Sequence, residues 1–184
     1  MLVSSRNWDT TYVMHSDDLG TTWVSEGGFI DDQGIKTFRA RDTRRLVCTV
    51  QNGPILHWHY TANEGASWFD LTATLQAPVS NVVLTESSIV AQTAYGLWES
   101  TDHGATWVGI NVPVQSYTLH VAVPRHVVLL SDLGLVFIPV GGTGARFLRY
   151  PLNFNGSMSL ASNSTSFFIS TAQAGLFSLD LKST

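Results

Sequence analysis

Ser100-Thr101-Asp102-His103-Gly104-Ala105-Thr106-Trp107 is the stretch on which the reading of this chain turns. The Asp102 side chain is short enough to accept hydrogen bonds from backbone N–H groups two or so residues on. Gly104 permits a positive φ that other residues resist. The Ser and Thr hydroxyls can tie down the ends of the turn. Trp107 then opens the next strand with a large ring to bury. The local prediction is a self-satisfied hairpin with an aromatic anchor.

The stretch has two relatives upstream. They are Ser16-Asp17-Asp18-Leu19-Gly20-Thr21-Thr22-Trp23 and Thr61-Ala62-Asn63-Glu64-Gly65-Ala66-Ser67-Trp68. The shared pattern is Ser/Thr-x-Asp/Asn-x-Gly-x-Thr/Ser-Trp, so Ser16, Asp18, Gly20, Thr22 and Trp23 match Thr61, Asn63, Gly65, Ser67 and Trp68. The same places in the third copy hold Ser100, Asp102, Gly104, Thr106 and Trp107. The copies recur about every 40 residues, the length of one four-stranded propeller blade. A second anchor keeps the period: Gly53-Pro54-Ile55, Gly96-Leu97-Trp98, Gly134-Leu135-Val136 and Gly175-Leu176-Phe177 each open a strand after a turn. Gly142-Thr143-Gly144-Ala145-Arg146-Phe147 reads as a copy of the first pattern with its Asp lost.

Between these anchors run short β-branched and aromatic segments bounded by Gly, Pro, Asn or Asp, which read as strands. Thr37–Arg41, Leu46–Gln51, Ile55–Thr61 and Ser67–Thr72 make one expected blade. Asn81–Thr85, Ile89–Gln92, Gly96–Ser100 and Thr106–Ile110 make the next, and Tyr117–Val121, Val127–Ser131, Gly134–Pro139 and Arg146–Tyr150 a third. No stretch shows a sustained helical period. The ends are partial. Leu2–Ser5 and Thr11–Ser16 precede the first hairpin; Ser157–Ala161, Phe167–Thr171 and Gly175–Leu181 close the chain. The expected fold is all-β: one small β-propeller over 1–184, about five four-stranded antiparallel blades with incomplete terminal blades. The blades are placed near 1–28, 35–75, 80–112, 116–151 and 156–182. Met1–Arg6 is expected as an inner strand that crosses to the last blade or leaves a gap for another chain. Open edges invite such pairing.

Composition narrows the function. Hydrophobic residues are 44% and charged residues 13%, about half the usual charged share. A surface this poor in charge tolerates docking, because few charges need desolvating. The net charge of −4 argues against nucleic acid as a partner. Met1-Leu2-Val3-Ser4-Ser5-Arg6 holds no signal-like apolar run, and no segment nears the roughly 20 apolar residues of a membrane span. Localisation stays open. Cys48, the single cysteine, sits in Leu46-Val47-Cys48-Thr49-Val50 and reads as a small buried hydrophobe. The sequons at Asn155 and Asn163 matter only in a secreted chain.

The three hairpins resemble the Asp-box, or BNR, repeats of sialidase-like propellers. Such repeats occur in sialidases, xyloglucan-cleaving glycosidases, sortilin-type receptors and photosystem assembly factors. The phrase from Tyr95-Gly96-Leu97-Trp98-Glu99 to Trp107 is closer to the last two styles. The resemblance implies that the box is a structural hairpin at the blade periphery. Asp18, Asn63 and Asp102 are then turn residues, and no catalytic residue is assigned.

Sialidase-like chemistry would need an arginine cluster, a Tyr–Glu pair and an acidic Asp, and an N-terminal Arg-Ile-Pro-type signature is absent. Of Arg6, Arg39, Arg41, Arg44, Arg45, Arg125, Arg146 and Arg149, four crowd one strand pair. Glycosidase chemistry needs two opposed carboxylates; Glu26, Asp42, Glu86, Glu99 and Asp132 are available without a recognisable pattern. His57-Trp58-His59 puts two imidazoles on one strand face, but packing or exposure explains them without a metal. His103 is expected to face solvent. Arg39 and Arg41 are candidate anion-binding residues, though a solvated hairpin paired with Asp42 is the simpler expectation. Trp8, Trp58 and Trp98 are the tryptophans outside the boxes; Trp58 and Trp98 are candidate sugar-stacking residues, with packing between blades the common use.

The expected function is therefore a non-catalytic propeller that binds other protein subunits, through its terminal blades, within a larger assembly such as a phage virion or tail. The alternative is a glycan-binding module or a sialidase-like hydrolase. No cofactor and no metal are expected.

Overall fold

Short apolar runs separated by turn residues have one simple outcome, antiparallel hairpins in series. The computed structural model of the protein is built this way throughout its described residues. Those are 2–7, 10–30, 35–51, 55–115, 117–123, 125–131, 134–141, 144–149, 158–162, 166–171 and 175–180. The first sheet holds β1 (Leu2–Asn7), β2 (Thr10–His15) and β3 (Val24–Ile30). The second holds β4 (Ile35–Arg41), β5 (Arg44–Gln51), β6 (Ile55–Thr61) and β7 (Phe69–Asp70), followed by helix α1 (Leu71–Leu75). The third holds β8 (Val79–Leu84), β9 (Ile89–Thr93), β10 (Gly96–Ser100) and β11 (Val108–Ile110). The fourth holds β12 (Tyr117–Val123), β13 (His126–Ser131), β14 (Gly134–Pro139) and β15 (Arg146–Arg149). The fifth holds β16 (Met158–Ser162), β17 (Ser166–Thr171) and β18 (Gly175–Asp180). Neighbours in sequence are neighbours in each sheet.

Burial on both faces explains the apolar runs. Val82 and Leu84 pack toward the second sheet, with Leu46, Trp58 and Leu71. Val83, between them, packs toward the fourth, with Leu119, Leu129 and Val136. Val128 turns the other way from its neighbours Val127 and Leu129, joining Val123, Leu135 and Phe137 against Ile169 of the fifth sheet. Val13 of the first sheet meets Val47 of the second, with Phe38 and Trp68 alongside. Each central sheet is thus a layer between two others, and alternation sends successive side chains to opposite seams.

Three first strands carry the same irregularity. The register slips between Ile35 and Thr37, between Val79 and Asn81, and between Leu119 and Val121. A bulge of this kind increases local twist.

The structure departs from expectation at two places. Ser67–Thr72 is not a strand: pairing stops after Phe69–Asp70 and α1 follows. Asp70 caps that helix, accepting from Thr72 N at 2.8 Å and Ala73 N at 3.3 Å. Thr72 then turns its hydroxyl back to accept Trp58 N at 2.9 Å, which satisfies the β6 amide that a longer β7 would have paired. The terminal sheets hold three strands each among the described residues. Leu2–Asn7 neither crosses to the last sheet nor takes an innermost place. It pairs with Thr10–His15, from Leu2 opposite His15 to Asn7 opposite Thr10. In the second and third sheets the Asp-box-like hairpin follows the third strand, whereas here it follows the second, so β1 holds the second position. Met1, Trp8, Asp132, Gly142, Thr143, Tyr150, Asn155 and Asn163 lie outside the described residues.

Candidate functional site

The three hairpins share one hydrogen-bond pattern. Asp102 Oδ1 accepts from Thr106 N at 2.9 Å and Ser100 Oγ at 2.8 Å, while Oδ2 accepts from Thr106 Oγ at 2.6 Å. Ser100 Oγ in turn accepts Gly104 N at 2.7 Å. Asp18 makes the same set with Thr22 and Ser16, and Gly20 N donates to Ser16 Oγ at 2.7 Å. In the middle copy Asn63 Oδ1 accepts Ser67 N at 3.0 Å and Thr61 Oγ at 2.7 Å, and its Nδ2 donates to Ser67 Oγ at 3.1 Å. The Thr hydroxyls, the Thr amides and the Ser hydroxyls hold the Asp18 and Asp102 carboxyls at a pKa of about 2. Carboxylates so engaged have no proton to give near neutral pH.

The second and third hairpins also reach the preceding sheet. Trp68 Nε1 donates to the Glu26 carbonyl at 2.6 Å, and Trp107 Nε1 to Thr74 Oγ at 3.0 Å. A Cβ on Gly65 would collide with the Glu26 backbone, and one on Gly104 with a Leu71 methyl. Glu26 and Leu71 sit at the same place in their repeats, three residues after the box Trp. The Glu26 carboxylate is buried and lies 3.2 Å from His15 Nδ1 and 3.3 Å from Arg45 Nε, an ion cluster in the seam between the first and second sheets.

The candidate binding residues do not converge. Trp58 is 2% exposed and donates Nε1 to the Val79 carbonyl at 3.3 Å, so it packs two sheets together and has no free face for a sugar. Arg39 reaches across the same seam to Asn81 Oδ1 at 3.1 Å, and burial pushes its pKa down. Arg41 lies 3.5 Å from Glu86. Trp98 donates to Thr93 Oγ at 3.1 Å within its own sheet. The arginine hairpin is less solvated than expected. Arg44 pairs with Asp42 at 3.4 Å but also donates to the Thr85 and Glu86 carbonyls of the third sheet, and Arg45 is buried. His103 is exposed yet not purely solvent-facing, since its Nδ1 is 2.8 Å from Tyr60 Oη.

His57 and His59 share a face, their rings 6.4 Å apart. His57 Nδ1 lies 3.4 Å from Asp70 Oδ2, and His59 Nε2 lies 3.2 Å from Thr49 Oγ. Burial lowers the His59 pKa, against the pull of Asp70. Among the described residues no group of three His, Cys, Asp or Glu is placed to hold a metal ion. Cys48 is buried, and desolvation raises its pKa to about 11.

What sequence reading missed lies between the sheets. Gln92 clamps β12, donating to the Tyr117 carbonyl at 2.9 Å and accepting Leu119 N at 2.6 Å. A polar side chain inside the apolar run Ile89–Thr93 was the signal for it. A groove of about 960 Å³ opens beside α1, between Ile55 and Leu56 on one side and Gln92, Thr93 and Ala94 on the other. Ala77, Pro78 and Val79 form part of its wall. It lies at the end of the sheets opposite the hairpins, because β6 runs from Ile55 to its hairpin at Thr61 and β10 from Gly96 to its hairpin at Ser100. Exposed Ile55 and Tyr95 stand at this end. None of Arg39, Arg41, Trp58 and Trp98 lines the groove.

No family model and no curated protein matches the sequence. Among solved structures the chain is similar to BamB from Moraxella catarrhalis, with a TM-score of 0.62 and 8% identity, covering 100% of this chain and 55% of that one. It is similar to YCF48 bound to D1 peptide, with a TM-score of 0.56 and 15% identity, covering 96% and 62%. It is also similar to the N-terminal domain of Nup159, with a TM-score of 0.53 and 13% identity, covering 91% and 49%. This chain spans about half to three-fifths of those structures. BamB and YCF48 are β-propellers, and the likeness shows that fold here: all-β, with antiparallel four-stranded sheets stacked as in a propeller.

Proposed function

We propose that this chain is a non-catalytic propeller that binds protein partners, with Asp-box hairpins that serve its framework. The groove beside α1 carries the reading. It offers aliphatic surface from Ile55 and Leu56 with the amide of Gln76, a mixture that takes up polypeptide. Among the described residues no carboxylate pair lines it for glycoside cleavage. A propeller similar in fold over 96% of this chain is known with a peptide bound. The sugar-stacking alternative loses Trp58, which is buried.

A photocrosslinking amino acid at Gln76, with a control at Thr101 on the hairpin end, tests this in the native host. A discrete polypeptide adduct from Gln76 alone is expected. Saturable glycan binding without any such adduct overturns the reading.

The first sheet supports a second contact. β1 is an edge strand among the described residues, and Leu2–Asn7 holds no lysine to discourage pairing. We expect a strand of a neighbouring polypeptide there. Removing residues 1–6 should abolish association while the circular dichroism of the central sheets persists. A monodisperse monomer of the intact chain would count against it.

A further inference from the structure

The groove beside α1 is neutral in a chain of net charge −4: among the described residues no Asp, Glu, Lys, Arg or His lines it. Most of its polar side chains are engaged within the fold. Thr72 Oγ accepts Trp58 N at 2.9 Å. Gln92 uses both ends of its amide on β12, and its backbone carbonyl accepts Ser80 Oγ at 3.2 Å. Thr93 is buried, and its Oγ accepts Tyr95 N and Trp98 Nε1, both at 3.1 Å. The side-chain amide that the wall leaves in solvent is that of Gln76, which is exposed.

The apolar wall is within reach of a ligand. Ile55, Ala73, Pro78 and Ala94 are exposed, and Leu56 and Ala77 are half-buried. Tyr95, 78% exposed, follows Ala94 directly and adds an aromatic face at this end of the sheets. An apolar side chain entering the groove removes aliphatic surface from water. A charged one would shed its hydration and meet no counter-ion, which is costly. The volume of about 960 Å³ is that of a site for a short segment rather than for one side chain.

We infer that the groove takes an uncharged segment of a partner polypeptide, anchored by leucine- or phenylalanine-like side chains against Ile55, Leu56 and Ala77. The polypeptide source of the segment rests on the protein-binding reading; the preference for uncharged, apolar groups stands on the lining alone.

The test uses the intact chain, labelled with ¹⁵N, and blocked tetrapeptides as probes. Acetyl-Ser-Leu-Phe-Ser-amide should shift the Ala73, Ala77 and Ala94 amides saturably. Its counterparts with two glutamates or two lysines in the middle should bind at least about tenfold more weakly. Ala77→Asp places a carboxylate in the wall and should weaken the Leu-Phe probe by a similar factor. Equal binding of the charged probes, no saturable shift by the apolar one, or undiminished binding by Ala77→Asp overturns the inference. If Ala77→Asp fails to fold, the comparison of probes on the unaltered chain decides alone. Crosslinking at Gln76 separates the two readings. An adduct that maps to a charged stretch of its partner sinks this inference and leaves the protein-binding reading standing. Glycan binding with no adduct sinks that reading, while the preference among the probes is decided on its own.

Discussion

The Trp68 indole N–H donates to the backbone carbonyl of Glu26 at 2.6 Å, across the seam between the first and second sheets. The ring that begins a strand in one repeat is therefore a strut to the repeat before it. Trp107 makes the corresponding reach to Thr74.

Trp68→Phe keeps most of the ring and removes the donor. It should lower the free energy of unfolding by about 1 kcal/mol, the net worth of one such bond. Trp107→Phe should cost less, because its bond is exposed. Urea unfolding of the two variants checks both, and an unchanged midpoint for Trp68→Phe contradicts the strut.

Gly104 faces Leu71 so closely that a Cβ would strike it, and its φ of +90° is one that alanine resists. Gly104→Ala should destabilise by about 1–3 kcal/mol through overpacking and backbone strain. Leu71→Ala opens space at the same point. A double-mutant cycle should show the pair less damaging than the sum of the singles. Strict additivity would mean that the contact is not what excludes a side chain.

The Asp18 and Asp102 carboxyls have pKa values lowered from 3.8 to about 2 in the folded state. A depressed folded pKa favours the ionised form, so this stabilisation is complete above pH 3.8 and is lost as pH falls through about 2. Thermal unfolding should show the midpoint falling over that window. Asp18→Asn with Asp102→Asn should flatten the fall, since the middle hairpin already works with Asn63. An equally steep fall in the double variant would place the acid sensitivity elsewhere.

Cys48 is 1% exposed, with its thiol pKa raised to about 11 by burial. Little thiolate forms at neutral pH, and reagent cannot reach it. A thiol-reactive dye at pH 8 should label the chain only in denaturant. Stoichiometric labelling of the folded protein would show that the seam between the second and third sheets opens.

Local chemistry was easy to read. Asp102, Ser100, Thr106 and Gly104 act within eight residues, so the sequence shows nearly everything their hydrogen bonds need. The strands Ile55–Thr61, Gly96–Ser100 and Gly134–Pro139 were legible for the same reason, being bounded by turn residues. The end of the second sheet was not. Phe69-Asp70-Leu71-Thr72 suits a strand by composition, but Asp70 caps a helix and Leu71 fills the space above Gly104. Local hydrogen bonding and a distant cavity won over β-propensity.

The sites divide likewise. Trp58 looks the same in sequence whether it stacks on a sugar or fills a seam, and only the packing of Val79, Val82 and Leu84 against it decides. Glu99 carries no motif at all, and its partner, the Gly141 amide, lies 42 residues away in the chain. From the chain alone follow the hairpins, their period and the all-β propeller, because each depends on neighbours a few residues apart. The seams, the groove beside α1 and the place of β1 were settled by tertiary structure, because each depends on which faces of separate repeats meet.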